Sequence, residues 1–308
     1  MNVPVFEVPV LSEASRAEIR SITSSRRRTR EVRSRMMQWI SPISLLVAAA
    51  PLFALLAALV SKGGPYLTRW SFYTQGPQAP TILTPNAVGG ISTAITGSLS
   101  IVFWASLLAI PLGVATGIYT AEKNSRLATA IRLVAGTMSG APSILMGLFA
   151  LGLMIETLGV QASAFDGAVA LAVLMLPVVA IATEIAVRAV PSTYREAGLA
   201  LGAKPHRVSL KVILPAARGA IVSASLLALS RAVGETAPII FVIGEVNRVS
   251  FNPLSPVQAM PALLYSNLAS PFPALRDEAW GIGLLLVLFV FALSFTARLW
   301  AARSDKGR

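Results

Sequence analysis

Six stretches of this chain, at about residues 39–60, 94–119, 133–155, 167–187, 219–243 and 280–300, are each long and apolar enough to cross a lipid bilayer as a helix. A hydrocarbon core about 30 Å thick needs roughly 20 helical residues. Within it every backbone N–H and C=O must be paired inside the protein. These two facts leave an all-α membrane protein of six transmembrane helices as the expected fold. Composition agrees, since 55% hydrophobic residues, 13% charged residues and a mean hydropathy of +0.69 exclude an ordinary soluble domain. No soluble domain is present to concentrate the net charge of +12 on nucleic acid, so no nucleic-acid partner is expected. Cysteine is absent, which removes disulfides and thiolate metal sites, and the single histidine, His206, reads as a solvated loop residue rather than a metal ligand.

The charge follows topology instead. Lysines and arginines gather in the tail 1–38, in the segment after the second stretch, between the fourth and fifth, and after the sixth, 21 of the total of 26. The positive-inside rule then places both termini and the Arg188–Arg218 segment in the cytoplasm, with the intervening loops outside. The first apolar run is too long for a signal-peptide core and is read as a retained span. Residues 1–38 form a basic cytoplasmic tail in which Val3–Leu11 shows no evident structure, and residues 304–308 close the chain as a second tail around the transmembrane domain 39–303. No internal repeat is apparent. Residues 61–93, with Gly63-Gly64-Pro65, Gly76-Pro77, Pro80 and Pro85, read as an exposed loop.

Several features stand out against the apolar background. Ala109, Gly113, Gly117 and Ala121 recur every four residues, a stripe that lets a second helix approach closely. Ser139-Gly140-Ala141-Pro142-Ser143 interrupts the third stretch, where proline removes a backbone hydrogen bond and the serine hydroxyls can serve the freed carbonyl. It is either a kink or broken backbone lining a cavity. Glu184 and Arg188 form a favourable helical pair near the end of the fourth stretch, read as a structural ion pair. Arg231 and Glu235, one turn apart, lie inside the fifth. With twelve residues on either side, Arg231 is expected about 18 Å from each helix end, in mid-membrane. Ionisable groups at that depth mark a solute or proton pathway, with a helix-locking ion pair as the other reading.

Residues 192–215 are amphipathic: Leu199, Val208, Val212 and Leu214 alternate with charges around Gly202–Pro205, predicting helix, break, helix. Such a segment is a docking surface for a soluble partner or a helix lying on anionic membrane lipid.

Glu196-Ala197-Gly198, Gly202, Val212, Leu214 and Pro215 resemble, in type and spacing, the cytoplasmic signature of ABC importer permeases, with Gly198 where alanine is usual and Val212 where isoleucine is usual. Within that family, Arg231-Ala232-Val233-Gly234-Glu235-Thr236-Ala237-Pro238 and Gly140-Ala141-Pro142-Ser143 look like motifs of the phosphate-specific permeases, closest to the PstA type. The likeness covers the second to sixth spans. It implies a type I importer permease in a bacterial cytoplasmic membrane, coupled to an ATPase through Glu196, Ala197, Gly198, Gly202, Leu214 and Pro215. It also implies a phosphate pathway through Arg231, Glu235, Thr236, Ser139 and Ser143, a second permease subunit, two ATP-binding subunits and an extracytoplasmic phosphate-binding protein. The chemistry agrees, because a guanidinium offers a fixed fork of donors to phosphate oxygens and Glu235 offsets its charge when no anion is bound. No Gly-x-x-x-x-Gly-Lys-Ser/Thr occurs, so no cofactor is expected on this chain and ATP belongs to a partner. Sulfate, molybdate or phosphonate remain alternative cargoes, and an ion-coupled secondary transporter is the competing class. The absence of His-Glu-x-x-His and Gly-x-Ser-x-Gly argues against a membrane-embedded enzyme.

Overall fold

A computed structural model describes residues 13–305 apart from Ala79, Ile82, Glu245 and Asn247. The Val3–Leu11 stretch and the end of the C-terminal tail lie outside the described residues. Among these, all regular structure is helical. The chain divides at Ala58: the first unit is the N-terminal part of helix α1 (Glu13–Leu67), and the second holds everything from Leu59 onward.

The second unit is built on two helices, α3 (Ser92–Glu122) and α6 (Ala164–Arg188). The stripe of small residues is what brings them together. A Cβ on Gly113 would lie 2.8 Å from Val179, and one on Gly117 would lie 2.4 Å from the Ala180 carbonyl and 2.6 Å from Thr183. At the other end, Gly167 faces Ile101. Ile101 with Gly167, Gly113 with Val179, and Gly117 with Thr183 share one sequence offset, so α3 and α6 run parallel. Ile101, Ala105, Ala109, Ala168, Leu171, Met175 and Val179 form the core between them.

Parallel neighbours require the intervening chain to return across the full thickness. It does so in two pieces, α4 (Arg126–Gly140) and α5 (Ser143–Ala150), the latter continued by a π-helical turn, Leu151–Thr157. The two pieces meet at 109°. Arg132 lies beside Glu184, Met138 shares a cavity wall with Leu176 and Pro177, and Ala150 packs on Ala170. The pair therefore runs along α6 from its last turn toward its beginning and, taken as one broken span, makes a sixth crossing beside five long spans. The interruption expected at Ser139–Ser143 lies at this bend. The serines also act differently from expectation: the Ala141 N–H serves the Met138 carbonyl at 3.2 Å, while the Ser139 hydroxyl donates to the Ala135 carbonyl of its own helix.

Further differences concern boundaries. α1 runs through Gly63-Gly64-Pro65 to Leu67, because the missing side chain of Gly63 lets the Trp280 carbonyl approach to 2.5 Å of where its Cβ would be. The supposed loop 61–93 also contains α2 (Trp70–Thr74), whose Phe72 is buried and accepts the Ile91 N–H at 2.8 Å. Within the polar segment, helices α7 (Ser192–Ala200) and α8 (Pro205–Val208) are followed by a π-helical turn, Ser209–Ile213, which leads into α9 (Leu214–Val233). His206 therefore sits on α8 and not in a loop. The fifth span ends ten residues earlier than expected. The following loop contains α10 (Met260–Ala269), and α11 (Pro273–Asp305) starts before the expected 280 and packs Ile282 and Leu286 with Val233.

Candidate functional site

Pro205–Val233 forms one membrane-length helical rod. Pro215 has no N–H for the Lys211 carbonyl, and the hydrogen-bond ladder just before it widens into the π-helical turn without breaking the rod. One end of the rod carries the α7–α8 turn and the other carries Arg231.

At the first end, α7 closes in a Schellman motif. Gly202 sits at φ +78 as the left-handed residue, its N–H donates to the Leu199 carbonyl at 2.9 Å, and the Ala203 N–H reaches the Gly198 carbonyl at 3.3 Å. A Cβ on Gly202 would meet nothing within 4 Å, so only backbone conformation demands glycine there. Gly198 has the opposite reason: a Cβ would press to 3.0 Å on both methyl groups of Val208. The departure from the usual alanine thus lets α7 and α8 fold tightly together. Glu196 and Ala197 are exposed, Leu201 is 89% exposed and Tyr194 51%. Leu214 is half-buried among Ala186, Val208, Ile213 and Ala217, and Pro215 opens α9 at the surface. This element therefore turns an apolar underside into the bundle and leaves Tyr194, Glu196 and Leu201 outward.

The Glu184–Arg188 pair turned out to be part of a larger hub. Glu184 Oε1 accepts from Arg188 Nη2 at 2.9 Å and from Arg132 Nε at 2.7 Å, and its side chain is 14% exposed. The Thr120 carbonyl, in the last turn of α3, accepts from both arginines. Arg195 of α7 reaches Glu122 at 3.3 Å. Together these bonds tie α3, α4, α6 and α7 at one level. Sequence reading missed Arg132, since its partner is 52 positions away.

At the other end, α9 stops because Gly234 is a weak helix former and Pro238 disfavours helix at the residue before it. The last turn tightens, with the Gly234 N–H on the Arg231 carbonyl at 3.1 Å and the Glu235 N–H on the Ala232 carbonyl at 3.2 Å. The Thr236 carbonyl accepts from the Ile239 and Ile240 N–H groups, beginning a run of turns to Val242. Arg231 is therefore in the final helical turn and not in mid-helix. Its Nε lies 3.4 Å from Glu235 Oε1; the arginine side chain is 59% exposed and the glutamate 19%.

Irregular backbone at membrane depth is tolerated only where protein buries it or water reaches it. Here it is buried against two elements. Gly147 of α5 lies so close that a Cβ would come within 2.5 Å of the Pro238 carbonyl, and Ile243 packs on Gly167 of α6. The Ser163 N–H, at the start of α6, donates to the Val242 carbonyl at 3.1 Å. Ser143 begins α5 one turn before Gly147. Among the described residues no hydrogen bond joins Ser139 or Ser143 to Arg231, Glu235 or Thr236, so the structure unites Arg231 and Glu235 and leaves the serines at the α4–α5 bend.

The family described as "Binding-protein-dependent transport system inner membrane component" matches residues 109–308. The "Probable phosphate transport system permease protein PstA" of Methanocaldococcus jannaschii is 34% identical, covering 90% of this chain and 96% of its own. The "Phosphate transport system permease protein PstA" of Haemophilus influenzae is also 34% identical, covering 88% and 94%. A chain from the inward-facing MetNI methionine ABC transporter shares the fold, with a TM-score of 0.55 at 20% identity over 70% of this chain and 94% of that one.

Proposed function

Because the chain belongs to the family of binding-protein-dependent transport system inner membrane components, we propose that it is the permease subunit of an ATP-driven importer carrying inorganic phosphate into the cell. A multi-pass permease of this family works with an ATP-hydrolysing partner and a binding protein. In our reading there are two ATPase copies and a second permease, both termini face the cytoplasm, and ATP is bound only by the partner.

The observation that carries the mechanism is the rod from Pro205 to Val233. The exposed face of α7 meets the ATPase, so that closure of the ATPase pushes on the α7–α8 turn. The rod transmits that push to its far end, where Arg231 sits beside a non-helical segment that can change shape without breaking helical hydrogen bonds. Arg231 presents its guanidinium fork to two oxygens of the anion. Glu235 holds the fork when the site is empty and releases it to the anion, and Thr236 adjoins it in the turn. Ser139 and Ser143 border the path at the α4–α5 bend.

The test is labelled-phosphate uptake by proteoliposomes holding the assembled importer, with binding protein outside and ATP inside. Arg231→Met with Glu235→Leu keeps apolar packing and should assemble while losing uptake about tenfold or more, the worth of a charge-assisted hydrogen bond or two. Arg231→Lys should recover part of it, as charge without the fork. Near-wild-type uptake by the double variant, or uptake driven by a pH gradient without ATP, would overturn the proposal.

A further inference from the structure

A groove follows α4. Leu127, Ile131, Val134 and Met138 form one wall of a cavity of about 300 Å³, opposite Leu176 and Pro177 of α6. A neighbouring cavity of about 260 Å³ shares Thr116, Ile131 and Ala135 with it and reaches Arg132 and Glu184. The two make one cleft between α3, α4 and α6, apolar along its length and charged at one end. From Leu127 to Met138 the helix rises about 16 Å, roughly half of a 30 Å hydrocarbon core, so the groove has the depth of one lipid leaflet. Leu127 and Val134 are more than half exposed, which leaves it open along its side.

The charged end is strongly one-signed. Lys123, Arg126, Arg132 and Arg188 meet there, Arg132 donating to the Lys123 carbonyl at 3.3 Å. Glu184 is shared between Arg132 and Arg188, and Glu122 is taken up by Arg195. Lys123 and Arg126 are exposed, and among the described residues neither makes an ion pair. Arg188 uses only Nη2 on Glu184 and Thr120, so its Nε and Nη1 have no acceptor among the described residues. The positive-inside rule puts this end at the cytoplasmic face.

We propose that the cleft binds one anionic phospholipid of the cytoplasmic leaflet, its phosphate against Lys123, Arg126 and Arg188 and one acyl chain along α4 as far as Met138. Basic pockets between membrane helices on the cytoplasmic side hold anionic head groups in this way. The head explains the unpaired cations, and the chain explains an apolar slot as deep as a leaflet that water would fill poorly. Since α4 turns into α5, whose Gly147 packs on Pro238, the lipid braces the element that borders the Arg231 segment. The site is independent of which cargo the permease carries.

The test uses the assembled importer, delipidated in neutral detergent and titrated with phosphatidylglycerol or phosphatidylcholine of identical chains. Native mass spectrometry reads retained lipid, and thermal unfolding reads the stabilisation that binding confers. A lysine or arginine near the surface is worth about fivefold in affinity for an anionic lipid, so phosphatidylglycerol should be preferred about tenfold or more. Lys123→Gln with Arg126→Gln should remove most of that preference while leaving the Glu184 hub intact. Val134→Trp, which fills the groove from an exposed position, should weaken both lipids. Glycerol phosphate, the head without chains, should not stabilise the complex. Equal retention of the two lipids, a preference unchanged in the double variant, or retention unchanged in Val134→Trp would overturn the proposal. So would stabilisation by glycerol phosphate equal to that by the lipid, or an assembled importer that holds no phospholipid because a partner chain covers the cleft. None of these outcomes touches the Arg231 dependence of phosphate uptake, so the cargo reading stands or falls separately.

Discussion

Gly147→Ala tests whether the contact between α5 and the segment after α9 sets the position of Arg231. In the native structure a Cβ at Gly147 would lie 2.5 Å from the Pro238 carbonyl oxygen and 2.7 Å from its Cα, both backbone atoms that cannot rotate aside. Ordinary contact begins at 3.4 Å, so the segment must retreat by about 0.9 Å, since a packed interior offers little slack. Overpacking of this kind costs about 1–3 kcal/mol, against which alanine in a helix returns roughly 0.5–1 kcal/mol. Net stability should therefore fall by about 0–2.5 kcal/mol. Function should change more, because Pro238 is three residues from Glu235, and a displacement near 1 Å at a binding constellation can cost on the order of a hundredfold in rate. Gly136→Ala is the control: the same exchange, in α4, where a Cβ meets nothing within 4 Å. It should stabilise the protein by roughly 0.5–1 kcal/mol and leave uptake intact. The assay is ATP-driven phosphate uptake in proteoliposomes, beside thermal unfolding of the purified complex. Uptake by Gly147→Ala indistinguishable from that of Gly136→Ala would refute the claim that this contact positions the site.

Other expectations follow from single geometric facts. Gly202→Val places a β-branched residue at φ +78, at a cost of at least about 1–2 kcal/mol, and should leave the protein in the membrane while reducing copurification of the ATPase. Glu184→Gln frees Arg132 and Arg188 at once and should lower stability by about 2 kcal/mol, seen as a lower unfolding temperature of the complex. Single cysteines at Gln78, Gln161 and Asp277 should react with an impermeant thiol reagent added outside whole cells and one at Lys204 should not; the reverse pattern would invert the assigned orientation.

The α7–α8 turn was legible because its signals are local. Gly202 needs a left-handed backbone, Pro205 starts a helix, and the charges around them mark the surface. The small-residue stripe on α3 was legible as a place for close approach, but the sequence did not say that α6 would fill it in parallel. The expected end of α9 failed for a definite reason. The apolar run continues through Ile239, Ile240, Phe241, Val242 and Ile243, and hydropathy counts that run without asking whether it is helical. Gly234 and Pro238 carried the stop signal, and the buried surface offered by Gly147 and Gly167 let the chain obey it inside the membrane. The bend at Pro142 was visible as a break but not as a turn of 109°, since that angle is set by α6, on which both pieces pack. Arg132 was hidden for the same reason. An ion pair between distant positions is a product of tertiary structure, whereas Glu184 with Arg188 is written into one helix.

The placement of Arg231 on the last helical turn bears on what the chain can do by itself. There the guanidinium meets the negative end of the helix macrodipole, an interaction of about 0.3–1 kcal/mol, and Glu235 lies within ion-pair distance. The formal charges cancel and the dipole adds a partial negative charge. An oxyanion arriving at this site alone would meet no net attraction until Glu235 let go. In addition, the Arg231 side chain is 59% exposed in the isolated chain, and an arginine open to hydrocarbon costs at least about 2.5 kcal/mol. That face must then be covered by protein or bathed by water. Both conditions are met together if the proposed second permease packs over Arg231 and brings further positive charge to the same level, so that the anion replaces Glu235 between cations from two chains. Arg231 and Glu235 are on this view one half of a site, and the ion pair between them is the state in which that half waits.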